Sequence, residues 1–193
     1  MLFRSVIAEE FSRKVSDLRI STNQMHKILK DSGVPILKDH SIHHKLPITM
    51  GENDPLVKGS IELGGFDIND AKNLEQLPRT SSARNESPAS KLLPEHGQDN
   101  YHPKWNAHTK EVLREQLRNL RNDYKIPENL SPAEAIKLIE KKEPGILKKT
   151  IDDIINGLDK DLLKDENWIR YNEKGERILA FVETQASQTE QSA

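Results

Sequence analysis

The chain has 193 residues, 31% charged and 34% hydrophobic, with a formal net charge of −2 and no cysteine. That length suits one ordinary domain, or a small domain with an extension, around a thin core. No apolar run approaches the roughly 20 residues of a membrane-spanning helix, disulfides and thiolate chemistry are excluded, and the near-neutral sum does not advertise nucleic-acid binding. The opening residues, MLFRSVIAEEFSRK, lack the apolar core of a secretory signal, so export by that route is not expected. Any metal would sit on His, Asp, Glu or Asn, which suits a labile functional site better than a structural clip.

In chain order, residues 5–19 carry Val6, Ile7, Phe11, Val15 and Leu18 on one stripe, which predicts an amphipathic helix. Ser21 to Gln24 has capping-box form and opens a second helix that Ser32-Gly33 ends. Residues 36–47 read as extended. Asn53-Asp54-Pro55 marks a turn before a short helix to about Leu63, and Gly64-Gly65 breaks it. Phe66 to Pro78 reads as a loop and then a short strand, with Leu74 and Leu77 packing inward. Residues 79–90 are poor in apolar side chains and are expected to be a mobile loop.

Pro103 at a first helical position opens a helix to about Asp123, its buried stripe being Trp105, Val112, Leu113, Leu117 and Leu120. Lys110, Arg114, Arg118 and Arg121 decorate its other faces. Ser131 to Glu134 is another capping box, with proline at N1, and starts a helix through about Lys142. Pro144-Gly145 interrupts before a helix from Ile146 to about Leu162. Residues 168–182 have the form of a β-hairpin, and the tail after 184 reads as disordered.

The chemistry gathers around Asp39 to Pro47, DHSIHHKLP, and above all His43-His44. Neighbours in an extended segment point to opposite faces, so one imidazole can serve a metal while the other handles a proton. Alone, such a pair would merely decorate a polar turn. Downstream stand Asn73, then His96 and His102 in EHGQDNYHPKWN. Three neutral imidazoles can hold a divalent cation with positions left for water and a phosphate oxygen. A histidine at the N-terminus of a helix, as His102 would be, is disfavoured from protonation by the macrodipole. An asparagine can fix the tautomer of a proton-transferring imidazole. The histidines also fall in basic stretches: residues 1–50 hold eight Lys/Arg against five Asp/Glu, and 101–125 six against three. The rest is acidic, five against nine over 51–100 and ten against fourteen over 126–193, the asymmetry a phosphate-binding face needs.

The blocks HHKLP (43–47), GFDINDAKNLEQLP (65–78) and HGQDNYHPKWN (96–106) stand in the order and spacing of a known pattern. From His43 to about Leu117, the chain resembles the HNH-type nucleases found as toxin domains of bacterial polymorphic toxins, and most closely the family named for its Ala-His-His signature. The match covers under half of the chain. The resemblance implies an α+β fold with a ββα-metal core, in which a hairpin carries the two histidines and a following helix completes a site for one divalent ion (Mg, Mn, Zn or Ni). It implies His43, His96 and His102 as metal ligands, His44 as general base and Asn73 as the residue orienting that base. Lys45 and Lys104 are expected against substrate. Two departures stand out: Ile42 replaces the alanine of the signature, and the interval from His96 to His102 is longer than four residues. His108 is therefore an alternative ligand, although a packed, hydrogen-bonded role on the apolar stripe suits it better. His40 is expected in a supporting or surface role.

These readings divide the chain into a helical lead-in (1–35), a nuclease core (36–124), a mainly helical extension with a short hairpin (125–184) and a tail (185–193). The implied function is a metal-dependent DNA endonuclease, secreted and acting in the cytoplasm of a target cell, with a cognate immunity protein as partner. A ribonuclease on the same scaffold and a non-catalytic zinc-binding interaction protein are the alternatives.

Overall fold

A computed structural model of the chain describes residues 18–85 and 103–162. The helix expected over 5–19, the hairpin over 168–182, the tail, and His96 and His102 lie outside those residues. Leu18 and Arg19, the last two positions of that first helix, are not helical. Among the described residues, two strands and seven α-helices form an α+β arrangement with a small two-stranded antiparallel sheet.

Local capping sets most of the helix starts. In α1 (Thr22–Asp31), the Ser21 hydroxyl accepts from Gln24 N at 3.3 Å while Gln24 Oε1 accepts from Ser21 N at 2.8 Å. Gly33, at φ 78°, turns the chain away from the end of this helix. Strand β1 (His40–His44) follows. An unexpected helix, α2 (Ile48–Asn53), comes next, entered from Pro47 without a side-chain cap. Asp54 then caps α3 (Pro55–Glu62), accepting from Leu56 N and Val57 N at 2.9 and 3.2 Å. A 3-10 turn (Ala71–Asn73) leads into β2 (Leu74–Pro78).

The first half of the stretch expected to be a mobile loop is instead helical. Thr80 Oγ1 accepts from Ala83 N at 3.1 Å at the start of α4 (Ser81–Asn85), and Ala83 and Arg84 are buried. One small apolar residue against the core stabilises what the polar composition disguises. Helix α5 (Pro103–Asp123) begins at the proline, as the sequence predicts. The second capping box opens α6 (Pro132–Lys142), and Gly145, at φ 89°, redirects the chain into α7 (Ile146–Asp161).

The strands pair in register His40↔Pro78, Ile42↔Gln76, His43↔Glu75 and His44↔Leu74. They are joined through α2 and α3, so the histidines stand on a strand pair with a long connection and not on a tight hairpin. A single apolar cluster runs from Leu46, Leu56 and Val57 through Trp105 and Leu113 to the isoleucines of α6 and α7. Helices α3 and α6 approach so closely that a Cβ on Gly59 would stand 2.3 Å from Ile136 Cγ2. Ser60 Oγ donates to Leu56 O at 2.8 Å and to Leu147 O at 3.3 Å, tying α3 to the start of α7. The helices after residue 124 thus share the core of the preceding segment. No helix among the described residues is long and apolar enough to cross a membrane.

Candidate active site on the two-stranded sheet

Side chains alternate along β1, so His40, Ile42 and His44 face one way, and Ser41 and His43 the other. The register places Glu75 and Leu77 on the His43 face of β2. The two rings thus leave β1 in opposite directions.

On its side, His44 Nε2 lies 2.9 Å from Asn69 Oδ1. Asn69 Nδ2 is 3.0 Å from Leu18 O, which can only accept. The amide is therefore oriented with its oxygen toward the imidazole, and Nε2 of that ring must carry the proton. The lone pair is left on Nδ1. Burial pushes the His44 pKa down, against the opposing effects of the Asn69 bond and the Asp67 carboxylate. A neutral ring with a defined basic nitrogen results.

This corrects the role expected of Asn73. Fully buried, Asn73 gives Nδ2 to Ile68 O at 2.7 Å and to Leu46 O at 3.1 Å, and its Oδ1 accepts from Leu46 N at 2.7 Å. Its own carbonyl accepts from Lys45 N at 2.8 Å. Asn73 fastens the end of β1 to the loop before β2 and leaves the His44 ring to Asn69. Sequence offered a cue, since both asparagines stand in the same block, but only the path of the loop decides which one reaches the imidazole.

On the opposite face, the His43 ring packs edge-on to Trp105, centroids 6.4 Å apart, and its Nε2 is shielded from solvent. Trp105 Nε1 donates to Lys45 O at 2.9 Å, pinning the first turn of α5 to the end of β1. His108 also tilts against the indole, centroids 5.7 Å apart, with Nε2 2.9 Å from Asp161 Oδ2. It is half-buried and bonded to α7. Lys45, expected against substrate, is turned inward: its side chain is only 7% exposed and its ammonium pairs with Asp159 at 2.6 Å. Lys104, on the first turn of α5, is partly exposed. His40, expected in a supporting or surface role, is buried and donates from Nδ1 to Lys38 O at 2.7 Å.

Glu75 was not singled out by sequence. Burial raises its carboxyl pKa, an effect partly offset by the Gln76 N–H and by Lys45, and reinforced by Asp159. Imidazole nitrogen from His43 and carboxylate oxygen from Glu75 are donor types suited to a divalent cation. Among the described residues, however, no group of three His, Asp or Glu side chains could hold one. His96 and His102 fall outside the described residues, although His102 directly precedes the helix whose first turn covers His43.

Compared with family models, with curated proteins and with solved structures, the chain finds no match.

Proposed function

We propose that the chain is a metal-dependent endonuclease that hydrolyses DNA phosphodiesters, built on an HNH-like ββα-metal core. The observation that supports this most is the division of labour in the histidine pair. His44 has a fixed tautomer with a basic Nδ1, while His43 leaves the other face of β1 and packs against Trp105 at the start of a helix. The order β1, β2, α5 and the three sequence blocks agree with that reading.

In this reading His43, with His96 and His102, holds one divalent ion (Mg, Mn, Zn or Ni). When bound, the ion supplies Lewis-acid stabilisation of the charge on the phosphoryl group and the departing 3′ oxygen. His44 Nδ1 takes a proton from water as the new P–O bond forms and the P–O3′ bond breaks. Asn69 holds the ring so that this nitrogen stays unprotonated and aimed. The same reading makes the protein a toxin or effector released toward a target-cell cytoplasm, restrained in its producer by an immunity protein.

Plasmid nicking across a metal series, with His44→Ala beside the parent, tests the proposal. Metal-dependent nicking that falls by at least a hundredfold in the variant supports it, in line with the usual contribution of a general base. Nicking unchanged in His44→Ala removes the mechanism. Cleavage confined to RNA and lost on substrates lacking the 2′-hydroxyl would replace the substrate.

A further inference from the structure

Lys45 is expected to meet substrate phosphate, yet it is buried against Asp159. Directly after β2, Arg79 reaches Ser41, which lies on the same side of β1 as His43. Two bonds fix it. Arg79 N donates to Asp39 O at 3.0 Å, extending the ladder by one rung, and Arg79 Nε donates to Ser41 Oγ at 2.8 Å. Ser41 precedes His43 by two residues on the same side of β1, about 7 Å along the strand. Arg79 is exposed, and among the described residues no carboxylate pairs with it. A guanidinium held at Nε still presents its two terminal nitrogens as a planar fork, the geometry that binds a phosphate through two parallel hydrogen bonds.

We infer that Arg79, braced by Ser41, is a phosphate-binding residue that grips the nucleic-acid backbone beside His43. This deepens the nuclease reading and rests on it for the identity of the ligand. The Nε bond to Ser41 sets the guanidinium about two residues along β1 from His43. The ammonium of a lysine could supply charge there but not the fork. The serine hydroxyl matters because it restricts the rotamers of a long side chain before ligand arrives.

The test is fluorescence anisotropy of a short labelled DNA duplex in EDTA, where binding is read without cleavage, across a salt series. Arg79→Gln is expected to weaken binding by about ten- to hundredfold, the range for a charge-assisted pair. It should also flatten the slope of log affinity against log salt by about 0.9, the loss of one phosphate contact. Ser41→Ala should weaken binding less and leave that slope unchanged, because the charge remains. Arg79→Lys should keep the slope and recover only part of the affinity. Thermal unfolding of each variant should match the parent, since the side chain is exposed. Affinity within twofold of the parent and an unchanged slope in Arg79→Gln would overturn the assignment, as would a parent that binds no duplex. Arg79-dependent binding without cleavage in any metal would remove the nuclease reading and leave this phosphate site standing. Cleavage with Arg79-independent binding would do the reverse.

Discussion

The two faces of the β1–β2 pair are built on opposite principles. The His44 face holds its imidazole through one amide, which passes the constraint on to the carbonyl of Leu18. The His43 face is crowded: an indole, a second histidine and the carboxylates of α7 converge there. A ring that must transfer a proton needs a single fixed tautomer and room on its other nitrogen. A ring turned toward a helix start gains from dense packing. The contrast shows how a sequence-adjacent pair acquires separate surroundings without any distance between the two residues.

The largest expected effect lies where the two faces are joined. Asn73→Ala would leave Leu46 N, Leu46 O and Ile68 O buried without their partner and should lower unfolding free energy by about 3–5 kcal/mol. Urea denaturation measures it, and a loss under 1 kcal/mol would mean that the end of β1 does not depend on this residue.

Asn69→Leu should behave differently. Its side chain makes one bond to the ring and one to the main chain, so nicking should drop by about ten- to a hundredfold while most stability survives. Equal losses in Asn69→Leu and Asn73→Ala, in both activity and stability, would erase the distinction between positioning and fastening.

The crowded face offers an asymmetry of its own. Lys45 is buried, whereas the Asp159 side chain is 45% exposed. Asp159→Asn therefore strands an interior ammonium and should cost about 1–2 kcal/mol, while Lys45→Met, which keeps the packed stem, should cost less than 1 kcal/mol. The reverse order, read from denaturation midpoints, would show that the pair is held by the surface partner.

The smallest effect lies far from both faces. Glu134 is held below its usual pKa chiefly by the Ser131 hydroxyl, with a further contribution from the Ser131 N–H. A carboxyl whose pKa is lower in the folded chain adds stability above its unfolded value, and that stability is lost as the pH falls through the folded value. Ser131→Ala should therefore lower the melting temperature slightly near neutrality and shrink that difference toward zero in acid. A difference that persists at low pH would assign the effect to the serine alone.

What the sequence made legible was local. Both capping boxes, the turn before Pro55, the proline start of α5 and the strand at Leu74 to Pro78 depend on neighbours within a few positions, and each stands where those neighbours put it. The missed helix α2 has no capping side chain and contains Gly51, a poor helix former. A Cβ there would meet Ile68 Cδ1 at 2.8 Å and Leu18 Cδ1 at 3.0 Å, so tertiary fit overrides propensity. The site followed the same division. Strand alternation foretold that His43 and His44 part company. The partners Asn69, Asp159 and Ser41 are fixed by loop paths and helix docking across 25, 114 and 38 residues from the side chains they meet, distances over which no local pattern carries information.

The close seat of Ile136 over Gly59 has a bearing on how the chain is made. A ribosome delivers α3 long before α6 and α7, so the Gly59 face of α3 emerges before the Ile136 that covers it. The sheet is synthesised early but gains its full support only once residues near 160 have left the exit tunnel. The nascent chain can pair β1 with β2 and fasten it through Asn73 before then, but Lys45 meets Asp159 only after that point.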